Sequence, residues 1–283
     1  MDSERTSELQ LIAQDLRILG LEMVREAKSG HIGGAFSLSE IMATLYFEKM
    51  NIDPSRPDWE DRDRLVMSKG HATVALYPTL AKRGFFPIDR LKQFRKIGGH
   101  LSGHAEMNYV AGVDMSTGSL GQGFSVAVGM ALGAKMAHKK FRVFAILGDG
   151  EIQEGQIWEA AMFAAAASLD NLVAILDYNK VQLDGTVAEV QNSGPPQDKF
   201  AGFGFNVITI DGHSIQEIAD AIDAAAICIG KPTIIIANTV KGKGVSFMEG
   251  KSAWHGKTPS EELFDLAFAE LKEQRTKLEA IHG

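Results

Sequence analysis

Two oxygen-bearing residues have the surroundings that metal and phosphate chemistry requires. Asp149 lies between Gly148 and Gly150, directly after the apolar run 141–147. The flanking glycines let the backbone approach an anion with no side chain in the way. A carboxylate there repels phosphate unless a cation sits between them. Mg²⁺ suits that gap, since it accepts one or two protein oxygens and completes its octahedron with phosphate oxygens and water. Asn179, which follows the apolar run 172–177, offers a neutral amide oxygen, with the Val181 carbonyl as a third ligand. The helix expected after Glu154 would turn free N–H groups and its positive end toward the phosphate. On GDG alone, a plain surface turn is the better explanation of Asp149; a second post-strand oxygen thirty residues on weighs against that.

Histidines form the second group. His31, His71, His100, His104, His213 and His255 each neighbour a glycine, which predicts tight turns lining a cleft. Neutral imidazoles there would suit proton transfer and hydroxyl recognition near neutral pH. His100 and His104 have a zinc-like spacing, but the glycine-broken GGHLSGH makes a poor helix and offers no third ligand. Two further motifs fail. Five residues separate the glycines of GVSFMEGKS where a P-loop needs four, and GSLGQG lacks the dinucleotide spacing. The latter leads into FSVAVGMALGAKMA, a small-residue helix that would let a neighbouring helix or a cofactor come close.

The elements that must carry these residues are strands and helices in alternation. Strand-length, β-branched runs at 141–147, 172–177, 206–210 and 233–237 are uninterrupted rather than alternating, as in strands covered on both faces. Helical patterns occupy 8–28, 120–139, 155–168 and 215–229. Ser37 and Glu40 have capping-box spacing for a helix to about Glu48, and Thr258-Pro-Ser-Glu261 announces the last helix. This order predicts an α/β fold, a doubly wound and mainly parallel sheet with helices on both faces. Its ligand crevice lies at the carboxyl ends of the strands.

Over 283 residues no composition break marks a second domain, so 1–283 reads as one domain. A net charge of −7 argues against nucleic acid, and no apolar run approaches a membrane span. The single cysteine, Cys228, reads as a small core hydrophobe, and together with the polar start MDSERTSELQ it suggests a cytoplasmic protein.

Taken together, SGHIGG at 29–34, SKGHA at 68–72, GHLSGHAE at 99–106, TGSLGQG at 117–123, GDGEIQEG at 148–155, LDYNKVQLDG at 176–185 and SAWHGK at 252–257 resemble the N-terminal, diphosphate-binding domain of transketolases. The resemblance implies thiamine diphosphate and Mg²⁺ as cofactors, with Asp149, Asn179 and the Val181 carbonyl on the metal. It places Gly150, His71 and His255 at the diphosphate, along with Gly118 and Asn179, and Leu120 and Leu183 against the thiazolium. His31, His104 and His255 would bind substrate hydroxyls and assist proton transfers, while Glu154 would reach a subunit interface. Ile32 stands where many family members have proline, which leaves substrate preference open.

Full transketolases continue into a pyrimidine-binding domain, whose glutamate activates the cofactor, and then a third domain. Neither is present in this chain. The resemblance therefore implies the N-terminal subunit of a split transketolase, working with a C-terminal partner subunit in an α₂β₂ heterotetramer. The reaction would be two-carbon ketol transfer from a ketose phosphate to an aldose phosphate, as in the pentose phosphate pathway. Alternatives are an unusual sugar donor, the α chain of a 2-oxo acid dehydrogenase, a 1-deoxyxylulose-phosphate synthase fragment, and a non-catalytic cofactor-binding subunit.

Overall fold

A computed structural model describes residues 1–282. Five strands form one wholly parallel sheet: β1 (Arg64–Met67), β2 (Val143–Gly148), β3 (Leu172–Tyr178), β4 (Asn206–Asp211) and β5 (Thr233–Asn238), in the order β1-β2-β3-β5-β4. Ten α-helices accompany it: α1 (Ser3–Ala27), α2 (Gly33–Phe36), α3 (Ser39–Thr44), α4 (Thr73–Arg83), α5 (Gln122–Met136), α6 (Gly155–Ala166), α7 (Val187–Gln191), α8 (Pro196–Gly202), α9 (Ile215–Ala226) and α10 (Glu261–His282).

Successive strand residues serve opposite cores. Phe144 and Ile146 join Val173, Ile175 and Ile235 beneath α1, α3, α4, α9 and α10. Val143, Ala145 and Leu147 join Leu172, Ala174, Ile234 and Ile236 beneath α5, α6 and α8. Burial on both faces explains why these strands read as uninterrupted apolar runs. The four expected strands form within a residue or two of their expected bounds. β1 escapes sequence reasoning because it is four residues long and its first residue, Arg64, closes the charged stretch EDRDR. α4 escapes it because Pro78 lies inside the helix.

Two expected caps do not form. Ser37 does not cap a helix. It lies in αR conformation between α2 and α3, and its hydroxyl donates to Asp177 Oδ2 at 2.6 Å. Glu40 pairs with Arg17 at 2.7 Å and with His213 Nδ1 at 2.9 Å, and a π-helical turn, Leu45–Lys49, completes the segment. A buried ion pair outcompetes a cap bond to backbone. At α10 the accepting hydroxyl is that of Ser260, not Thr258; Thr258 donates to the Lys28 carbonyl, and Glu261 pairs with Arg25 and Lys28. A capping box does form at Thr186 and Glu189, opening α7. Cys228 lies half-buried beyond the end of α9, outside both cores, so it is not a core hydrophobe. Among the described residues no helix is long and apolar enough to cross a membrane.

Candidate active site

The carboxyl ends of β1, β2, β3 and β5 open on a cavity of about 270 Å³. β1 delivers Lys69 and His71, β2 delivers Asp149 and Gly150, and β3 delivers Asn179, Val181 and Leu183. The segment after β5 returns twice, with Lys241 and again with His255. His31, His104, Gly118 and Leu120 come from loops elsewhere on the rim. Gly70 makes this assembly possible, since a Cβ there would lie 2.5 Å from the Thr117 carbonyl carbon.

Every site residue that the family resemblance implies lines this cavity except Glu154, which is exposed at the N-cap of α6. The expected helix N-terminus is also not in the cavity. A 3₁₀ turn, Glu151–Gln153, intervenes, so the loop 148–151 faces the cavity and α6 does not. Two of the glycine-flanked histidines do not line it. His100 stacks on Tyr109 with ring centroids 4.6 Å apart, and His213 bonds Glu40 and the Val240 amide. The H-x₃-H pair is thus split between two places.

Beneath the cavity lies a charged floor that sequence reasoning missed. Asp177 is fully buried and accepts from Ser37, Lys69, Thr239 and Asn179 Nδ2, the last at 3.1 Å. The bond from Asn179 Nδ2 turns its Oδ1 away from Asp177. Lys69 also donates to the Gly34 carbonyl at 2.9 Å, and Lys241 donates to the Val181 carbonyl at 2.9 Å. Glu151 is buried and accepts from Ser68 at 2.5 Å, Gly121 N–H at 2.9 Å and Gly148 N–H at 3.0 Å, so it braces the GDG loop. Lys69 and Asp177 stand inside SKGHA and LDYNK, so the motifs held the signal; nothing in the sequence marks their pairing.

Electrostatics follow from burial. Burial, assisted by the nearby Asp177 charge, pushes Asp149 up to about 6, although it accepts bonds from Gly150 and Lys180 N–H. Burial, with Lys69 alongside, brings Lys241 down to about 8. Burial first, and neighbouring cations next, hold His31 near 4, His255 near 3 and His71 near 2. His104 is lowered too, by burial and by Arg95. All four imidazoles are therefore neutral near pH 7, and the rings of His31, His71 and His255 stand 5.0 to 5.6 Å apart.

The donor set fits a hard divalent cation and a diphosphate. Asp149 is a buried carboxylate whose ionisation is opposed, which a cation would relieve. The Val181 carbonyl already takes a cationic partner in Lys241, and the amide oxygen of Asn179 completes an oxygen-only set of the kind Mg²⁺ prefers. Lys69, Lys241 and the N–H groups of neutral histidines supply positive potential to an anion. Leu183 lines the cavity yet is 61% exposed, an apolar wall with none of the described residues over it.

Comparison with known proteins accords with this geometry. A family model described as "Transketolase, thiamine diphosphate binding domain" matches residues 8–277. A 6-deoxy-6-sulfo-D-fructose transketolase subunit from Clostridium sp. is 49% identical, covering 96% of this chain and 99% of its own. An apulose-4-phosphate transketolase subunit from Phocaeicola vulgatus is 41% identical, covering 96% of each chain. Among solved structures, a transketolase from Leishmania mexicana superposes with a TM-score of 0.87 at 30% identity, over 97% of this chain. The chain spans only 45% of that larger protein.

Proposed function

This chain belongs to the transketolase family as its thiamine diphosphate binding domain, and on that premise we propose that it is the N-terminal subunit of a split transketolase. The reaction is transfer of a two-carbon ketol unit from a ketose to an aldose, with Mg²⁺ as the second cofactor and an obligatory C-terminal partner. The single observation that carries this reading is the cavity that gathers Asp149, Asn179 and the Val181 carbonyl with two lysines and four neutral imidazoles.

In this reading Asp149, Asn179 and the Val181 carbonyl hold Mg²⁺. His71, His255, Gly118 and Gly150 lie along the diphosphate, and Leu120 and Leu183 pack against the thiazolium. When bound, thiamine diphosphate supplies a nucleophilic carbon and a sink for the electrons freed as the ketose is cleaved. His31, His104 and His255, neutral at working pH, hold substrate oxygens and as a group assist the proton transfers. Glu154, exposed on the rim of α6, is free to meet the partner's pyrimidine-binding domain.

A partner is supported by the open wall at Leu183, and by relatives of the same length that are named as subunits. An α₂β₂ assembly has further support in exposed Met136, Met162 and Phe163 on adjacent α5 and α6, where Gly129 and Gly133 leave room for a helix to approach. The whole sequence 1–283 then serves as one diphosphate-binding domain of a cytoplasmic enzyme.

Two donors are in view. Xylulose 5-phosphate would place the enzyme in pentose phosphate metabolism, whereas the 49% identity to a 6-deoxy-6-sulfo-D-fructose transketolase subunit favours a sulfonated ketose. The test supplies thiamine diphosphate, Mg²⁺ and each donor in turn to this chain alone and to this chain with the adjacent gene product. Activity only in the mixture is the expected result. Activity of the chain alone would overturn the split assignment, and a mixture that binds cofactor but transfers nothing from any ketose would overturn the transketolase reading.

A further inference from the structure

Arg95 lies outside the cavity wall but reaches one of its histidines from behind. It follows Phe94 in a loop that doubles back, its N–H donating to the Leu101 carbonyl at 2.8 Å, and it holds a left-handed backbone conformation (φ 54°) that a long side chain rarely adopts. That geometry swings the guanidinium inward against Gly103, where a Cβ would come within 2.5 Å of Nε. The fork then divides. Nη1 donates to Ser29 Oγ at 2.6 Å, and Nη2 meets His31 Nδ1 at 3.1 Å.

A guanidinium has donors only and keeps its charge at any working pH. Its partner nitrogen must therefore accept. Because the His31 ring is neutral, its one proton resides on Nε2, the nitrogen left to the cavity. Lys241 stands in the same relation to His255 Nδ1 at 3.0 Å. His104 has no such cation bonded to its ring among the described residues, so it alone of the three is free to change tautomer.

We propose that Arg95 is a positioning residue that fixes His31 as an Nε2–H donor facing the cavity, so that His31 holds a substrate oxygen and does not take a proton from it. Proton acceptance then falls to His104. This rests on the transketolase reading only for the identity of the substrate oxygen; the state of the ring does not depend on it.

The first test is spectroscopic. In ¹⁵N-histidine-labelled protein near neutral pH, the His31 signals, identified by their loss in His31→Gln, should show an unprotonated Nδ1 and a protonated Nε2. In Arg95→Met, Nδ1 should shift toward the average of two exchanging tautomers. A protonated Nδ1 in the unmodified protein, or no shift in the variant, overturns the proposal. The second test uses the assembled pair. Arg95→Met should lower kcat/KM by about tenfold or more. In a His31→Gln background, where the glutamine amide supplies an N–H donor without needing a fixed tautomer, the same change should cost little. Equal losses in both backgrounds would show that Arg95 acts by another route and overturn the proposal. Silence of the unmodified pair toward every sugar would count against the transketolase reading, and the ring spectrum would then decide this one.

Discussion

Asp149 is held in a state that only a cation relieves, buried beside Asp177 and raised to about 6. Asp149→Ala should therefore abolish the Mg²⁺-dependent part of thiamine diphosphate binding, read by titration calorimetry with and without chelator. Unchanged affinity would remove Asp149 from the metal. His104, without a cationic partner on its ring, has a different part to play. His104→Ala should leave cofactor affinity nearly intact and lower turnover in the assembled pair; equal loss of both would show that it holds cofactor instead. Individual site residues were legible where glycine surrounds them, because glycine marks backbone that must approach something closely. The buried floor was not. Lys69, Asp177, Glu151 and Lys241 look in sequence like any solvated charges, and only the meeting of four strand ends shows that Lys69 pairs with Asp177 while Lys241 turns to the Val181 carbonyl and Glu151 to the Ser68 hydroxyl.

Between α1 and α4 the backbones touch. Pro78 cannot donate to the Val74 carbonyl, and that freed oxygen lies against Gly20, where a Cβ would stand 2.8 Å from it. Gly20→Ala should therefore destabilise the protein by about 1–3 kcal/mol through overpacking, despite the roughly 1 kcal/mol that alanine adds to helix propensity. A raised thermal midpoint would show that the helices can part. α4 was missed while α5, α6 and α9 were found because their helical patterns are unbroken, whereas Pro78 interrupts that of α4. Local capping patterns were poorer guides than apolar periodicity. Ser37 had a stronger partner in Asp177, and Thr258 in the Lys28 carbonyl.

The molecule as a whole should be sensitive to mild acid. His31 and His255 have folded values near 4 and 3 against an ordinary 6.5, so the unfolded chain binds more protons within that window. Their contribution is complete above pH 6.5 and is lost as pH falls toward 4. Asp149, raised above its ordinary 3.8, works the opposite way between there and about 6, but is outnumbered. Glu40 continues the loss below 4.5: burial alone would raise it, yet Arg17 and His213 hold it near 2. Urea midpoints of the cofactor-free chain should decline from pH 7 to 5, and less steeply in His31→Gln; a flat profile would contradict the neutral-imidazole picture.

α1 packs against α10, with the Gln14 side chain on the Leu271 carbonyl and Asp15 on Arg275. The partners of this pair are separated by almost the entire sequence. At a synthesis rate of roughly 5–20 residues per second, the apolar flank of α1 waits on the order of ten to fifty seconds before α10 leaves the ribosome. During that interval it is a surface that chaperones can hold.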